Sequence, residues 1–82
     1  KKMKIVLKCF SQVKYALNTD EITVELDDGQ TASDLEKIIR KQTGEKLKGI
    51  GLQIAVNQEY SDGSTVLHNG DEVAFIPPVQ GG

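Results

Sequence analysis

The chain has 82 residues, 38% of them hydrophobic and 27% charged, with ten bases against twelve acids for a net charge of −2. That suffices for one domain with a modest core, and a charge so small and scattered excludes a polyanion, so no nucleic-acid partner is expected. A single cysteine, Cys9, excludes an internal disulfide framework and suits a reducing, cytoplasmic setting; with no apolar run of spanning length and no signal peptide, no membrane is expected.

Met3 reads as a natural start preceded by Lys1 and Lys2, which places a single domain at residues 3–82. Lys4 to Phe10 alternates as a strand, with Ile5, Leu7 and Cys9 on one side and Lys4, Val6, Lys8 and Phe10 on the other. Ser11 to Leu17 follows as a short helix or irregular turn. Ile22, Val24 and Leu26 mark a second strand, closed by the turn chemistry of Asp27-Asp28-Gly29. Thr31 to Thr43 is the main helix, with Thr31/Asp34 and Ser33/Glu36 as overlapping candidate caps. Its apolar stripe is Ala32, Leu35, Ile38 and Ile39, and Gly44 is placed to stop it.

The stretch from Glu45 to Gly51 reads as a mobile loop. Leu52, Ile54 and Val56 form a third strand. Gln58 to Tyr60 and Ser64 to Val66 flank Asp62-Gly63, which predicts a small hairpin or two edge segments there. Asn69-Gly70 turns into a last strand, Glu72 to Ile76. Strand, strand, helix and two or three more strands make an α+β chain with one main helix packed across one face of a mixed sheet. With the first and last strands side by side, and hence parallel, this is the β-grasp, or ubiquitin-like, fold.

Little in the chain resembles an active site, and an enzyme acting alone is not expected. One His and one Cys make no metal site. His68 falls in a turn, and Cys9 lies on the inward side of its strand, where a cysteine is a small apolar side chain. Gly44, Gly49 and Gly51 with Lys46 and Lys48 lack the Gly-Lys-Ser/Thr of a phosphate loop. Asp27, Asp28, Asp71 and Glu72 border turns, where acids serve local hydrogen bonds. By period-2 counting, Phe10 and Ile76 share the face away from the helix, and Tyr60 joins them from an edge. Large apolar groups gathered there predict a partner surface.

The chain closes with Pro77-Pro78-Val79-Gln80-Gly81-Gly82. The prolines lack N–H groups for a sheet ladder and should launch 77–82 as a stiff, then flexible, arm. A Gly-Gly end suits either a frayed terminus or a tail that threads a narrow channel to present its carboxylate.

Phe75-Ile76-Pro77-Pro78-Val79-Gln80-Gly81-Gly82, preceded by Asn69-Gly70-Asp71-Glu72-Val73-Ala74, resembles the small-subunit family of molybdopterin synthase. Phe10-Ser11-Gln12-Val13-Lys14 and Ala55-Val56-Asn57-Gln58 are similar to two further segments of that family. The departures are Lys14, where arginine is usual, and Ile76, where a second phenylalanine is commoner.

The resemblance implies a sulfur carrier, a subunit that donates sulfur within an enzyme complex. An adenylating activating enzyme would consume ATP on the Gly82 carboxylate, no cofactor being held permanently. A thiocarboxylate would follow, and the large synthase subunit would receive the tail in a heterotetramer and pass its sulfur to cyclic pyranopterin monophosphate. Gly81 and Gly82 are then the reactive end. Phe10, Tyr60, Ile76, Pro77, Pro78, Val79 and Gln80 are the implied partner contacts. Two alternatives stand beside this: a ubiquitin-like carrier for thiazole or transfer-RNA thiolation, which usually lacks the paired prolines, and a β-grasp interaction module without carrier function.

Overall fold

Strand β1 (Lys2–Cys9) carries the expected alternation, with Met3, Ile5, Leu7 and Cys9 buried and their neighbours facing out. It begins earlier than the sequence suggests, because Lys2 pairs with Asp27 of β2 (Glu21–Asp27) in an antiparallel ladder and the Lys1 carbonyl accepts the Asp28 N–H. These are features of the computed structural model, which describes residues 1–78.

Between the two strands lies α1 (Ser11–Leu17), which ends on Asn18 in the left-handed region, φ 60°. After β2 comes α2 (Ala32–Thr43), followed by a 3₁₀ turn at Gly44–Leu47. Then come β3 (Gln53–Val56), β4 (Glu59–Ser61) and β5 (Glu72–Ile76). The sheet order is β2-β1-β5-β3-β4, with β1 and β5 parallel and every other neighbour antiparallel. This is the α+β β-grasp architecture that the element order implies.

The core lies between the sheet and α2. Ile5, Leu7, Val73 and Phe75 from the central strands meet Leu35 and Ile39 from the helix, all with no exposed surface. Each such side chain contributes about 1.5–3 kcal/mol by leaving water. Period-2 alternation on β1 and β5 and 3–4–4 spacing on α2 deliver these groups to one layer.

At the start of α2 the capping box is Thr31 with Asp34. The Thr31 hydroxyl accepts the Asp34 N–H at 3.2 Å, and the Asp34 carboxylate accepts the Thr31 N–H at 2.9 Å. Ser33 and Glu36 are no cap; Glu36 instead pairs with Arg40 one turn on. The buried stripe is Ala32, Leu35, Ile39 and Thr43, while Ile38 remains 38% exposed. One position off the stripe rotates Ile38 by about 100°, out of the interface. Thr43 takes the final place because its hydroxyl donates to the Ile39 carbonyl.

One loop expectation is overturned, and of the two alternatives about Asp62-Gly63 the short edge segments hold, as edge strand β4 and a bridge from Val66 to Thr31, while the hairpin does not. The 45–51 stretch is structured: Leu47 is fully buried, and the Arg40 guanidinium donates to the carbonyls of Leu47, at 2.9 Å, and Ile50, at 2.6 Å. There is also no hairpin about Asp62-Gly63. β4 pairs with β3 across a tight turn at Asn57-Gln58, whose φ values are 50° and 71°. The 63–67 segment serves α2 instead. The carbonyls of Gly63 and Thr65 accept the N–H groups of Ser33 and Ala32, two donors that no helix can satisfy internally. Gly63, at φ 98°, allows this approach; a Cβ there would stand 3.3 Å from that of Ser33.

Candidate functional site

With α2 on one face, the other face of the sheet is left to solvent. On β5 the burial alternation sends Val73 and Phe75 inward and Glu72, Ala74 and Ile76 outward. The ladder registers align Lys8, Ala74, Ala55 and Tyr60 in one row across β1, β5, β3 and β4. The two central members of that row are alanines. They form the floor of a groove whose walls are Phe10, Ile76, Tyr60, Gln58 and Glu72. Phe10 is 49% exposed and Tyr60 74%, with Ile76 half-buried. Thus the structure brings Phe10, Tyr60 and Ile76 together, as the alternation anticipates.

Local backbone geometry aims the two aromatic walls. Phe10 is extended at the N-terminus of α1 and is followed by Ser11 at φ 50°, a left-handed bend that ends β1 and frees the ring from the ladder. On the far wall, the Asn57-Gln58 turn swings β4 back along β3. Asn57 is pinned there: its N–H donates to the Glu72 carbonyl at 2.7 Å, and its side-chain oxygen accepts the Glu72 N–H at 3.0 Å. Its amide also donates to Asp71 at 3.0 Å. Asp71 accepts the His68 N–H as well, so this acid plays the local role expected of it.

Glu72 departs from that expectation. Its backbone joins the Asn57 turn, and the residue lines both this groove and the adjoining charged hollow of Lys8, Lys14 and Glu21. Sequence reasoning missed Glu72, Ala74, Ala55 and Gln58 as parts of the site. Counting back by twos from Ile76 reaches Ala74 and Glu72, so half of that signal was present. Asn57 is a usual first residue of such a turn, but Gln58 stands where glycine is normally found, so the pair does not announce one.

Beyond Phe10 the face becomes charged. Lys8 pairs with Glu21, Lys2 with Asp27 at 3.4 Å, and Lys14 with Asp20 at 2.8 Å. The carboxylate hydrogen bonds to Lys8 and Lys14 push both ammonium groups above their ordinary values. Lys14 therefore engages an acid of its own chain through a single contact, not a two-pronged one.

Cys9 is buried, with its sulfur 3.8 Å from the Leu7 carbonyl. Burial pushes the thiol up, helped by Asp20 and Glu21, which disfavours the reactive thiolate. His68 is exposed. Pro77 is buried and Pro78 exposed, so the proline pair begins inside the domain. Val79, Gln80, Gly81 and Gly82 lie outside the described residues. Among the described residues no helix is long and apolar enough to cross a membrane.

The ThiS family model matches residues 7–82. A molybdopterin synthase sulfur carrier subunit from Haemophilus influenzae is 36% identical over 77 residues, covering 89% of this chain and 93% of the relative. Among solved structures, a Pyrococcus furiosus protein described as molybdopterin converting factor subunit 1 superposes with a TM-score of 0.83 at 32% identity, over 94% of this chain and 99% of that one. A protein–protein complex of subunits 1 and 2 of the Helicobacter pylori molybdopterin-converting factor gives 0.66 at 28% identity, covering 98% of this chain and all of that one.

Proposed function

This chain belongs to the ThiS family, and on that premise we propose that it is the sulfur carrier subunit of a molybdopterin synthase. The observation that carries the reading is a relative of that name, 36% identical and matched over nearly its whole length, joined to a family match that runs to Gly82. The paired prolines, Pro77 and Pro78, favour this carrier over the thiazole and transfer-RNA alternatives.

Chemistry supports the division of labour. A free carboxylate is a poor acyl donor, since its resonance must be broken and oxide is a bad leaving group. An activating enzyme would join the Gly82 carboxylate to AMP from ATP, releasing pyrophosphate. A sulfur donor would then displace AMP and leave a thiocarboxylate, a sulfur nucleophile at neutral pH. Glycine at 82 has no stereocentre to racemise during activation.

The tail would next enter the large subunit and give up its sulfur to cyclic pyranopterin monophosphate, two carriers serving each pterin in a heterotetramer. The groove of Phe10, Tyr60 and Ile76 would be the docking face, with Pro77 and Pro78 at the root of the arm and Val79 and Gln80 continuing it. Holding Val79 to Gly82 in one conformation costs on the order of 4–8 kcal/mol. An apolar contact face beside the root of the arm is a source of binding energy to offset that.

Mass spectrometry tests the reading. Incubated with ATP, an activating enzyme and a sulfur donor, the chain should gain the mass of one oxygen-to-sulfur exchange at Gly82, and no exchange would refute it. Deleting Gly82, or adding a residue after it, should abolish sulfur transfer and leave the melting temperature unchanged. An extended variant that still yields molybdopterin would sink the tail mechanism.

A further inference from the structure

The charges on the open face do not balance locally. Lys2, Lys8 and Lys14 are each matched to an acid of β2 or of the loop before it. Glu72 is left over. Among the described residues its carboxylate accepts no hydrogen bond and has no cation within ion-pair distance; Lys8, across the adjoining hollow, feels its charge only at longer range and is hydrogen-bonded to Glu21. Glu72 is also half-buried, and among the described residues it is the one charged residue lining the groove, along with Phe10, Tyr60 and the small floor of Ala55 and Ala74.

A half-buried acid that lines a groove with aromatic walls and an alanine floor is matched best by one kind of side chain. An arginine offers a flat cation that can stack on a ring, donate a forked pair of hydrogen bonds to a carboxylate and lay its stem on alanine methyls. A neutral apolar insert would bury Glu72 without a partner, which is costly. An acidic insert would be repelled.

From this juxtaposition we infer that the large synthase subunit presents an arginine into the Phe10–Tyr60 groove, where Glu72 receives it and sets the orientation of docking. The inference rests on the carrier reading above and adds the partner's chemistry to it. The groove opens at Ile76, next to Pro77, so an arginine anchored there would hold the partner beside the root of the tail.

The experiment is calorimetric titration of the full chain with its purified large subunit, at about 0.05 and about 0.5 M salt. Glu72→Gln keeps the shape and removes the charge. It should weaken binding about tenfold at low salt, and the gap should narrow at high salt. Glu72→Lys should lose more, and Glu72→Asp should recover part of the affinity, all at an unchanged melting temperature. Equal affinity and equal salt dependence for Glu72→Gln would overturn the inference. So would a loss seen only in binding to the activating enzyme. If the wild-type chain itself fails to bind the large subunit, it is the carrier reading that fails, so the two failures are distinguishable.

Discussion

The two faces of the central sheet come from the same alternating strands yet end in opposite environments. On β5, Val73 and Phe75 are sealed under α2, while Glu72, Ala74 and Ile76, one residue out of phase, stand in the open groove. The inner face is crowded with branched and aromatic groups and carries no charge. The outer face is divided between a half of paired charges on β1 and β2 and a half on β5, β3 and β4 whose groove is apolar apart from Glu72 and Gln58. Stability has no use for Phe10 and Tyr60 in water. Their position is understandable if the second face completes itself against another chain, as the first does against α2.

Adjacent residues of β5 give the sharpest test of this contrast. Phe75→Ala should cost about 3–5 kcal/mol of stability, a large part of what a domain this size has. The measurement is urea unfolding. Ile76→Arg, one residue away, should change stability by under about 1 kcal/mol and weaken binding of the large subunit by about 2 kcal/mol or more, read by calorimetry. Phe10→Arg should behave like Ile76→Arg. If both open-face variants unfold the protein as Phe75→Ala does, the two faces are not separable in the way proposed.

A smaller effect is expected at the helix cap, which serves only the inner face. Thr31→Ala should cost about 1 kcal/mol with no change in partner affinity. The same cap has an acid signature. Hydrogen bonding from Thr31, backbone first, holds the Asp34 carboxyl below its ordinary value. A depressed folded value means the stabilisation is complete above the unfolded value of about 3.9 and fades as pH falls through the lower folded one. Asp34→Asn should therefore remove part of the loss of stability on acidification. Identical acid profiles for the two proteins would remove Asp34 from the account.

The least effect is expected from Cys9→Ser, a buried site whose thiol is pushed away from the reactive form. The variant should keep full sulfur-carrier activity at a modest cost in stability. Lost activity in a folded variant would show that Cys9 handles sulfur, and would place chemistry on the inner face.

Legibility in the sequence followed the range of the interaction. The alternation of Ile5, Leu7 and Cys9, the spacing of Ala32, Leu35 and Ile39, and the Thr31/Asp34 cap are local patterns. Each was readable because the partner atoms lie within a turn or a strand pleat. The Gly-Gly end and the resemblance it carries were readable for a like reason, being a run of consecutive residues.

The β3–β4 turn was not readable in this way. Asn57 suits the left-handed region but Gln58 does not, and the turn is held because Asp71 and Glu72, fourteen and fifteen residues away, hydrogen-bond Asn57. The Asp62-Gly63 signal was real chemistry with the wrong purpose: its loop caps α2 from a distance in sequence. Leu47 and Arg40 ordered a stretch that composition alone marks as loop.

By itself the sequence determined which residues alternate and where the main helix begins, because nearest-neighbour sterics and short-range hydrogen bonds decide such features. Only the tertiary structure decided that Phe10, Tyr60, Ile76 and Glu72 share one groove. They come from the end of β1, from β4 and from β5, and it is the ladder register, set by burial on the opposite face, that aligns them.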